Sequence, residues 1–173
     1  YGRDCTKADI RERGMGKIAI LGLGYQMGWS KFQAQCAAQG AEIDDEFAQQ
    51  VVTAYRTKYA KIKQLWWDME AAALAAVSYA SRVAAVGRVH WQTEGRFLYC
   101  TLPSGRRLAY PDPQVRKRPT PWGEEKNALT HMGVHPLTRK WVRLTVYGGL
   151  LVENIVQAIS RDIMAEAMLR CEK

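Results

Sequence analysis

Arg13-Gly-Met-Gly-Lys17-Ile-Ala-Ile-Leu21-Gly-Leu-Gly-Tyr25-Gln-Met-Gly28 is the stretch on which the reading of this chain turns. It supports two incompatible structures. As a strand and turn, Lys17 to Leu21 is a buried first strand. Gly22-Leu-Gly24 with Gly28 is then a dinucleotide loop, and Glu42, Asp44 and Asp45 lie about where a ribose-binding carboxylate would be wanted. That reading implies an NAD-dependent oxidoreductase. Its spacing is GxGxxxG where a Rossmann unit has GxGxxG, and Gln33 to Ala41 holds no β-branched run for a second parallel strand. As a helix, Arg13, Lys17, Leu21 and Tyr25 recur every four residues. Each such step drifts by about 40° beyond a full turn, so two cations, an apolar group and a phenol line one surface. Glycines at 14, 16, 22 and 24 are costly inside a helix and make sense where a ligand or another backbone approaches closely.

Outward from this stretch the first half reads as helix. Thr6 and Asp9 form a capping pair for a helix from Ile10 to about Gly24. Ser30 and Gln33 have capping-box spacing before a short helix stopping near Gly40. Asp44 caps a longer helix whose stripe is Phe47, Val51, Tyr55, Tyr59 and Ile62, and a further helix covers Leu65 to Arg82. After Gly87 the period changes. Strands are expected at 88–92, 96–102 and 106–110, with Pro103-Ser-Gly105 as a turn. Pro111, Pro113, Pro119 and Pro121 among basic residues suggest an irregular exposed loop. A strand pair is expected within 128–146, and Leu151, Ile155, Ile159, Ile163 and Ala167 mark a C-terminal helix. The fold class expected is mainly α with a small antiparallel β part (α+β). It is organised as one partial domain over 1–173: a helical region at 1–86, hairpins and a basic loop at 87–147, and a helix at 148–173.

The chain has 173 residues, 25 basic and 17 acidic, for a formal charge of +8. Residues 101–143 hold nine Lys or Arg against three acids, interleaved with Tyr110, Trp122 and Trp141. Cations among aromatics suit nucleic acid, because phosphates pair with the charges while bases stack. A noncatalytic basic DNA-binding module satisfies the same composition. Cys5, Cys36, Cys100 and Cys171 lie far apart without a CxxC pair, so free thiols in a reducing, cytoplasmic setting are expected. The longest apolar run, 71–87, is interrupted by Arg82, and no membrane partner is expected. His131 and His135 stand four apart with Gly133 and Pro136 beside them, a poor setting for a metal-binding helix face.

Arg-x3-Lys-x7-Tyr is also the spacing of motif B in family A (polymerase I-like) DNA polymerases, and Gly16-Lys-Ile-Ala-Ile-Leu-Gly-Leu-Gly-Tyr-Gln26 resembles its phage and prophage version. The resemblance implies that this is a fingers segment with adjoining palm elements. Arg13 and Lys17 would bind the phosphates of the incoming dNTP, Leu21 would pack on its sugar and base, and Tyr25 would lie at the insertion site. Two departures are Leu21, where an aromatic is usual, and Gln26, where Gly commonly follows the Tyr. Two further stretches agree. Leu102 to Asp112 resembles a Gly-Arg-Arg-Leu hairpin after the fingers, which implies DNA contacts for Arg106 and Arg107. Tyr147 to Asp162 resembles the helix whose Gln touches the primer–template minor groove, and Gln157 is the better match for that role, Asn154 the weaker. A minor-groove amide fits chemically, since base acceptors there sit alike for all correct pairs. In that family the metal-binding carboxylates come from a motif upstream of motif B and from a His-Asp-Glu after the last helix. Neither occurs in this sequence. The chain is therefore expected to bind no metal and to be inactive alone, with Mg2+ held by the remaining segments of a complete polymerase.

Overall fold

The computed structural model describes residues 4–79, 82–119, 123 and 125–172. The chain divides into two compact units, residues 1–65 and 66–173.

In the first unit, α1 (Ile10–Ile18) runs directly into a π-helical turn (Ala19–Leu23), followed by α2 (Trp29–Ala38) and α3 (Asp45–Lys58). Asp9 precedes α1, its carboxylate accepting from the Thr6 amide at 2.7 Å and the Thr6 hydroxyl at 3.0 Å. Asp44 caps α3 by accepting from the Phe47 amide at 2.7 Å, and Asp45 and Glu46 suit the positive end of the helix dipole. Met15, Ile18, Leu23, Phe32, Cys36, Ala48 and Val52 form the core, with Phe47, Val51 and Tyr55 packed against it. Lys17 to Leu21 is helical, so the strand needed for a dinucleotide loop does not form.

Three local expectations are corrected here. The helix expected over Ile10–Gly24 changes type at Ala19. Ser30 is not a cap: it lies inside α2, whose N-cap is Gly28, while the Gln33 amide donates to the Ile43 carbonyl at 3.0 Å and to Asp45 Oδ1 at 2.7 Å. The stripe from Phe47 to Ile62 is not one helix, because α3 ends at Lys58 and α4 (Ala60–Ser78) starts after Tyr59, which leaves helical geometry at φ −109°, ψ 47°.

α4 runs on into the second unit. There β1 (Ala84–Val86), β2 (Val89–Glu94), β3 (Phe97–Thr101) and β4 (Arg107–Pro111) make a four-stranded sheet in sequential order. β5 (Gln114–Pro119), β6 (Glu125–Val134) and β7 (Trp141–Val146) make a three-stranded one. Every pairing is antiparallel. α5 (Gly148–Cys171) closes the chain. The fold is α+β, combining helices with two small antiparallel sheets. β1 falls inside the stretch expected to be helical, and α4 stops at Ser78 short of Arg82.

The proline-rich segment is a strand where a loop was expected. Pro113 precedes β5, Pro119 closes it, and β5 is an edge strand, where a missing amide donor is tolerated. Pro121 and Trp122 lie outside the described residues.

Alternation sets the inner face of the first sheet: Val89, Trp91, Leu98, Cys100 and Tyr110 are buried. The two sheets meet where the Tyr110 ring stands edge-on to His131, 5.1 Å between centroids. A polar knot holds the same junction. Asp112, at φ +46° between β4 and β5, pairs with Arg143, which also donates to the Asp112 carbonyl at 2.9 Å. The Thr130 hydroxyl, fully buried, donates to the Gln114 carbonyl at 3.0 Å.

Glu70 of α4 fixes two neighbours. One carboxylate oxygen lies 3.3 Å from Lys126 Nζ on β6, and the other accepts from the Gly148 amide at 3.0 Å. The backbone of α5 approaches α4 so closely that a Cβ on Gly148 would collide with the Trp66 carbonyl. Gly148 is therefore required by space, not by backbone conformation. Among the described residues no helix is long and apolar enough to cross a membrane. All four cysteines are free thiols.

Candidate nucleotide and nucleic-acid interface

Arg13 and Lys17 stand one turn apart on α1, both exposed. Among the described residues no side chain pairs with either of them. Met15 and Ile18, on the opposite face, enter the core, which fixes how the helix rolls and sends the two cations outward. Gly16 lies between them, with nothing within 4 Å of where a Cβ would be.

Beyond Ala19 the straight row from Arg13 to Tyr25 is broken. A π turn bonds i to i+5 and so takes an extra residue, which rotates later positions away from the α-helical phase. Leu21 lies in that turn, 68% exposed, and Tyr25 lies past it, partly buried. The helix then ends in a Schellman arrangement. Met27 N donates to the Gly22 carbonyl at 3.2 Å, Gln26 N donates to the Leu23 carbonyl at 3.2 Å, and Gln26 adopts φ +69°. The Met27 side chain fills the space over Gly22, where a Cβ would strike its thioether. Gln26 thus occupies the left-handed position that favours glycine. Tyr55 lies nearby; its phenol is pushed up by burial first and then by the phenols of Tyr59 and Tyr25.

In the second unit, Arg106, Asn154 and Gln157 come together along a groove of about 460 Å³, lined also by Tyr110 and Arg161. Arg106 Nε lies 2.6 Å from Asp162 Oδ1, and its Nη2 donates to the Ala158 carbonyl at 2.8 Å. Ser104 Oγ donates to the other Asp162 oxygen at 2.6 Å, and these two bonds, Ser104 first, hold the Asp162 carboxyl below its ordinary value. Asn154 Nδ2 donates to the Tyr110 hydroxyl at 3.2 Å. Burial pushes Tyr110 up to about 12, against the lowering effect of that bond. Gln157 is exposed and donates to Glu153 at 3.1 Å, one turn back.

Arg107 is not in this groove. Its guanidinium lies 3.5 Å over the Tyr99 ring and 2.7 Å from Glu94, on the outer face of the four-stranded sheet. Arg161 was missed by sequence reasoning, although it stands four residues after Gln157 and so one turn along the same face. His131 and His135 do not approach a common ion. His131 Nδ1 is bonded at the Met132 carbonyl, 2.8 Å, and His135 Nδ1 accepts from the amides of Leu137 and Thr138 at the β6–β7 turn. Burial, then the Met132 carbonyl opposing it and the Arg143 charge adding to it, leave the His131 ring below its ordinary value.

Over 160 residues, 92% of its length, the chain is 40% identical to the DNA polymerase of Bacillus phage SP02. It is related to a DNA polymerase. It spans 24% of that polymerase's length. No family model matches the chain, and no solved structure matches it. Among the described residues no three His, Cys, Asp or Glu side chains gather as a metal site would require.

Proposed function

We propose that this chain is the fingers segment, with adjoining palm elements, of a family A type DNA polymerase, and that it serves template-directed DNA synthesis by binding the incoming dNTP and the primer–template. The observation that carries the reading is the exposed Arg13–Lys17 pair on α1 in a chain 40% identical to a phage DNA polymerase. Two cations one turn apart, turned away from the core and left without acidic partners among the described residues, suit a triphosphate. Leu21 and Tyr25 follow as the apolar and phenolic groups for sugar and base. Leu21 lies in the π turn and Tyr25 past it, so their aim differs from that of a continuous helix.

In the second unit, Gln157 is the exposed amide suited to minor-groove acceptors, and Asn154 holds Tyr110 at the groove's wall. Arg106 contributes charge to the same groove while tied to Asp162, and Arg107 contributes from the sheet's outer face. Nucleotidyl transfer needs metal-binding carboxylates, and among the described residues no such group gathers. In this reading the chain works together with further polymerase segments and is inactive alone.

The test is fluorescence anisotropy of a labelled primer–template titrated with the chain across salt, with and without the matched dNTP. Binding that weakens as salt rises and tightens with the matched dNTP is the expected result. Salt-sensitive binding indifferent to dNTP would leave a basic DNA-binding module. NADH binding is not expected, because Lys17 to Leu21 is helical.

A further inference from the structure

The outer face of the four-stranded sheet carries an aromatic stack of which the proposed polymerase roles use only the Arg107 charge. Period-2 alternation turns Val89, Trp91, Leu98 and Cys100 inward, so Phe97 and Tyr99 on β3 and Arg107 on β4 share the opposite face. The Phe97 and Tyr99 rings stack at 5.7 Å between centroids and 27° between planes. Arg107, paired across the ladder with Thr101, reaches diagonally over Tyr99, its guanidinium 3.5 Å from the ring centroid. Glu94, opposite Phe97 on β2, takes that guanidinium from the far side at 2.7 Å and so fixes its plane. Phe97 remains 38% exposed, and so does the Arg107 side chain.

Such an exposed, pre-ordered set of flat surfaces is uncommon unless something flat lies on it. A sheet needs only the inner face for its core, and lone exposed aromatics are ordinary, but a stacked aromatic pair roofed by a guanidinium is the arrangement that receives unpaired bases. Charge agrees. Arg88 and Arg96, both exposed, stand in the turns at the two ends of β2, and the face carries one acid, Glu94, already engaged by Arg107. A polyanion with unpaired bases meets cations at the rim and π surfaces between them.

We propose that this sheet face is a binding site for single-stranded DNA, with one base stacking on Phe97 and a neighbouring base on the Arg107 guanidinium. The site shares no residue with the Gln157 groove or with α1, and does not depend on the roles proposed for either. Within a replicating polymerase it would hold template ahead of synthesis.

The experiment uses the 173-residue chain with a labelled homothymidine oligonucleotide, the same length of oligouridine, and a blunt duplex. Wild type is expected to bind the homothymidine strand in a salt-dependent way. Phe97→Ala should weaken that binding roughly 5- to 150-fold, the range for losing one stacked base, and Phe97→Trp should keep it. Duplex binding should be unchanged in both. Arg107→Lys, which keeps charge and loses the plane, should weaken the single strand as well. Lys63→Ala, at an exposed cation with no proposed role, should leave oligonucleotide affinity as in wild type. Circular dichroism of each variant checks that the exposed substitution leaves the fold intact. Three results would overturn the site: no binding of the single strand by wild type, unchanged affinity in Phe97→Ala, or an equal loss in Lys63→Ala. Tighter binding of oligouridine than homothymidine would overturn the assignment to DNA. Failure here leaves the primer–template and dNTP reading to be judged by its own titration.

Discussion

Arg106 on the turn into β4 and Asp162 on α5 are joined at 2.6 Å, and the same carboxylate receives the Ser104 hydroxyl at 2.6 Å. One acid on the last helix thus holds both the middle and the end of the turn between β3 and β4. Asp162→Asn should lower thermal stability, because the amide keeps an acceptor but loses the charge that Arg106 meets. The sign of the pH effect follows from the depressed carboxyl. Its contribution is present above the ordinary carboxylate value and is lost as pH falls through the lower folded value. Thermal melts of wild type and variant should therefore converge in acid. Equal separation at all pH values would show that the carboxylate is not responsible.

Gly148 lies against the backbone of Trp66, and neither partner has a flexible side chain with which to yield. Gly148→Ala should cost about 1–3 kcal/mol, the usual range for overpacking, and lower the denaturant midpoint. The ordinary gain from Ala over Gly in a helix, about 1 kcal/mol, runs the other way. A variant more stable than wild type would show that α5 can move off α4 freely.

Gln26 is the reverse case. Its φ of +69° costs an L-residue roughly 1–2 kcal/mol relative to glycine, offset in part by glycine's greater freedom when unfolded. Gln26→Gly should raise stability by up to about 1 kcal/mol in denaturant titrations. A loss of stability would mean that the Gln side chain matters more than its backbone.

The contrast between these positions shows where sequence was legible. Capping at Asp44 and the antiparallel hairpins were readable because each is decided by residues within a few positions. The π turn was not, since it follows from fitting Leu23 and Met27 to a core shared with α2 and α3. The same limit hid β5, where an edge position makes prolines acceptable. Of the candidate residues, Arg13 and Lys17 were readable as an exposed pair from helical spacing alone. Arg107 was grouped with Arg106 by the resemblance of their hairpin, yet Arg106 in the turn meets Asp162 while Arg107, the first residue of β4, lies over Tyr99. Gly148 carries no local signal, because its need arises from α4, where the Trp66 backbone lies against it and Glu70, 78 residues back, accepts from its amide.

Alkaline pH should destabilise the second unit. Cys100 and Tyr110 are both buried neutral, pushed up to about 12 from ordinary values of 9.0 and 10.0. In the unfolded chain each loses its proton near the ordinary value, so the stability they lend in neutral form is complete below pH 9. It then declines as pH rises toward about 12. Cys100→Ala should be less stable at pH 7, by about 1–2 kcal/mol from lost packing, but its decline should begin nearer pH 10 than pH 9. Denaturant midpoints measured across this window separate the two contributions, and an unchanged onset would remove Cys100 from the account.

Lys17 makes the sharpest test of the nucleotide reading, because it is exposed and no core residue leans on it. Lys17→Ala should fold with an unchanged denaturant midpoint, alanine being the better helix former. Its loss should weaken dNTP binding by roughly tenfold or more, the range for removing a charge-assisted bond of about 1.5–3 kcal/mol. Arg13→Ala should act in the same direction. Because the two cations address one triphosphate, the double variant should lose less than the sum of the two single losses. The readout is dNTP-dependent tightening of the primer–template complex at fixed salt. Undiminished tightening in Lys17→Ala would detach the phosphate clamp from α1 while leaving the relationship to the phage polymerase untouched, and additive losses in the double variant would mean that the two cations bind separate groups.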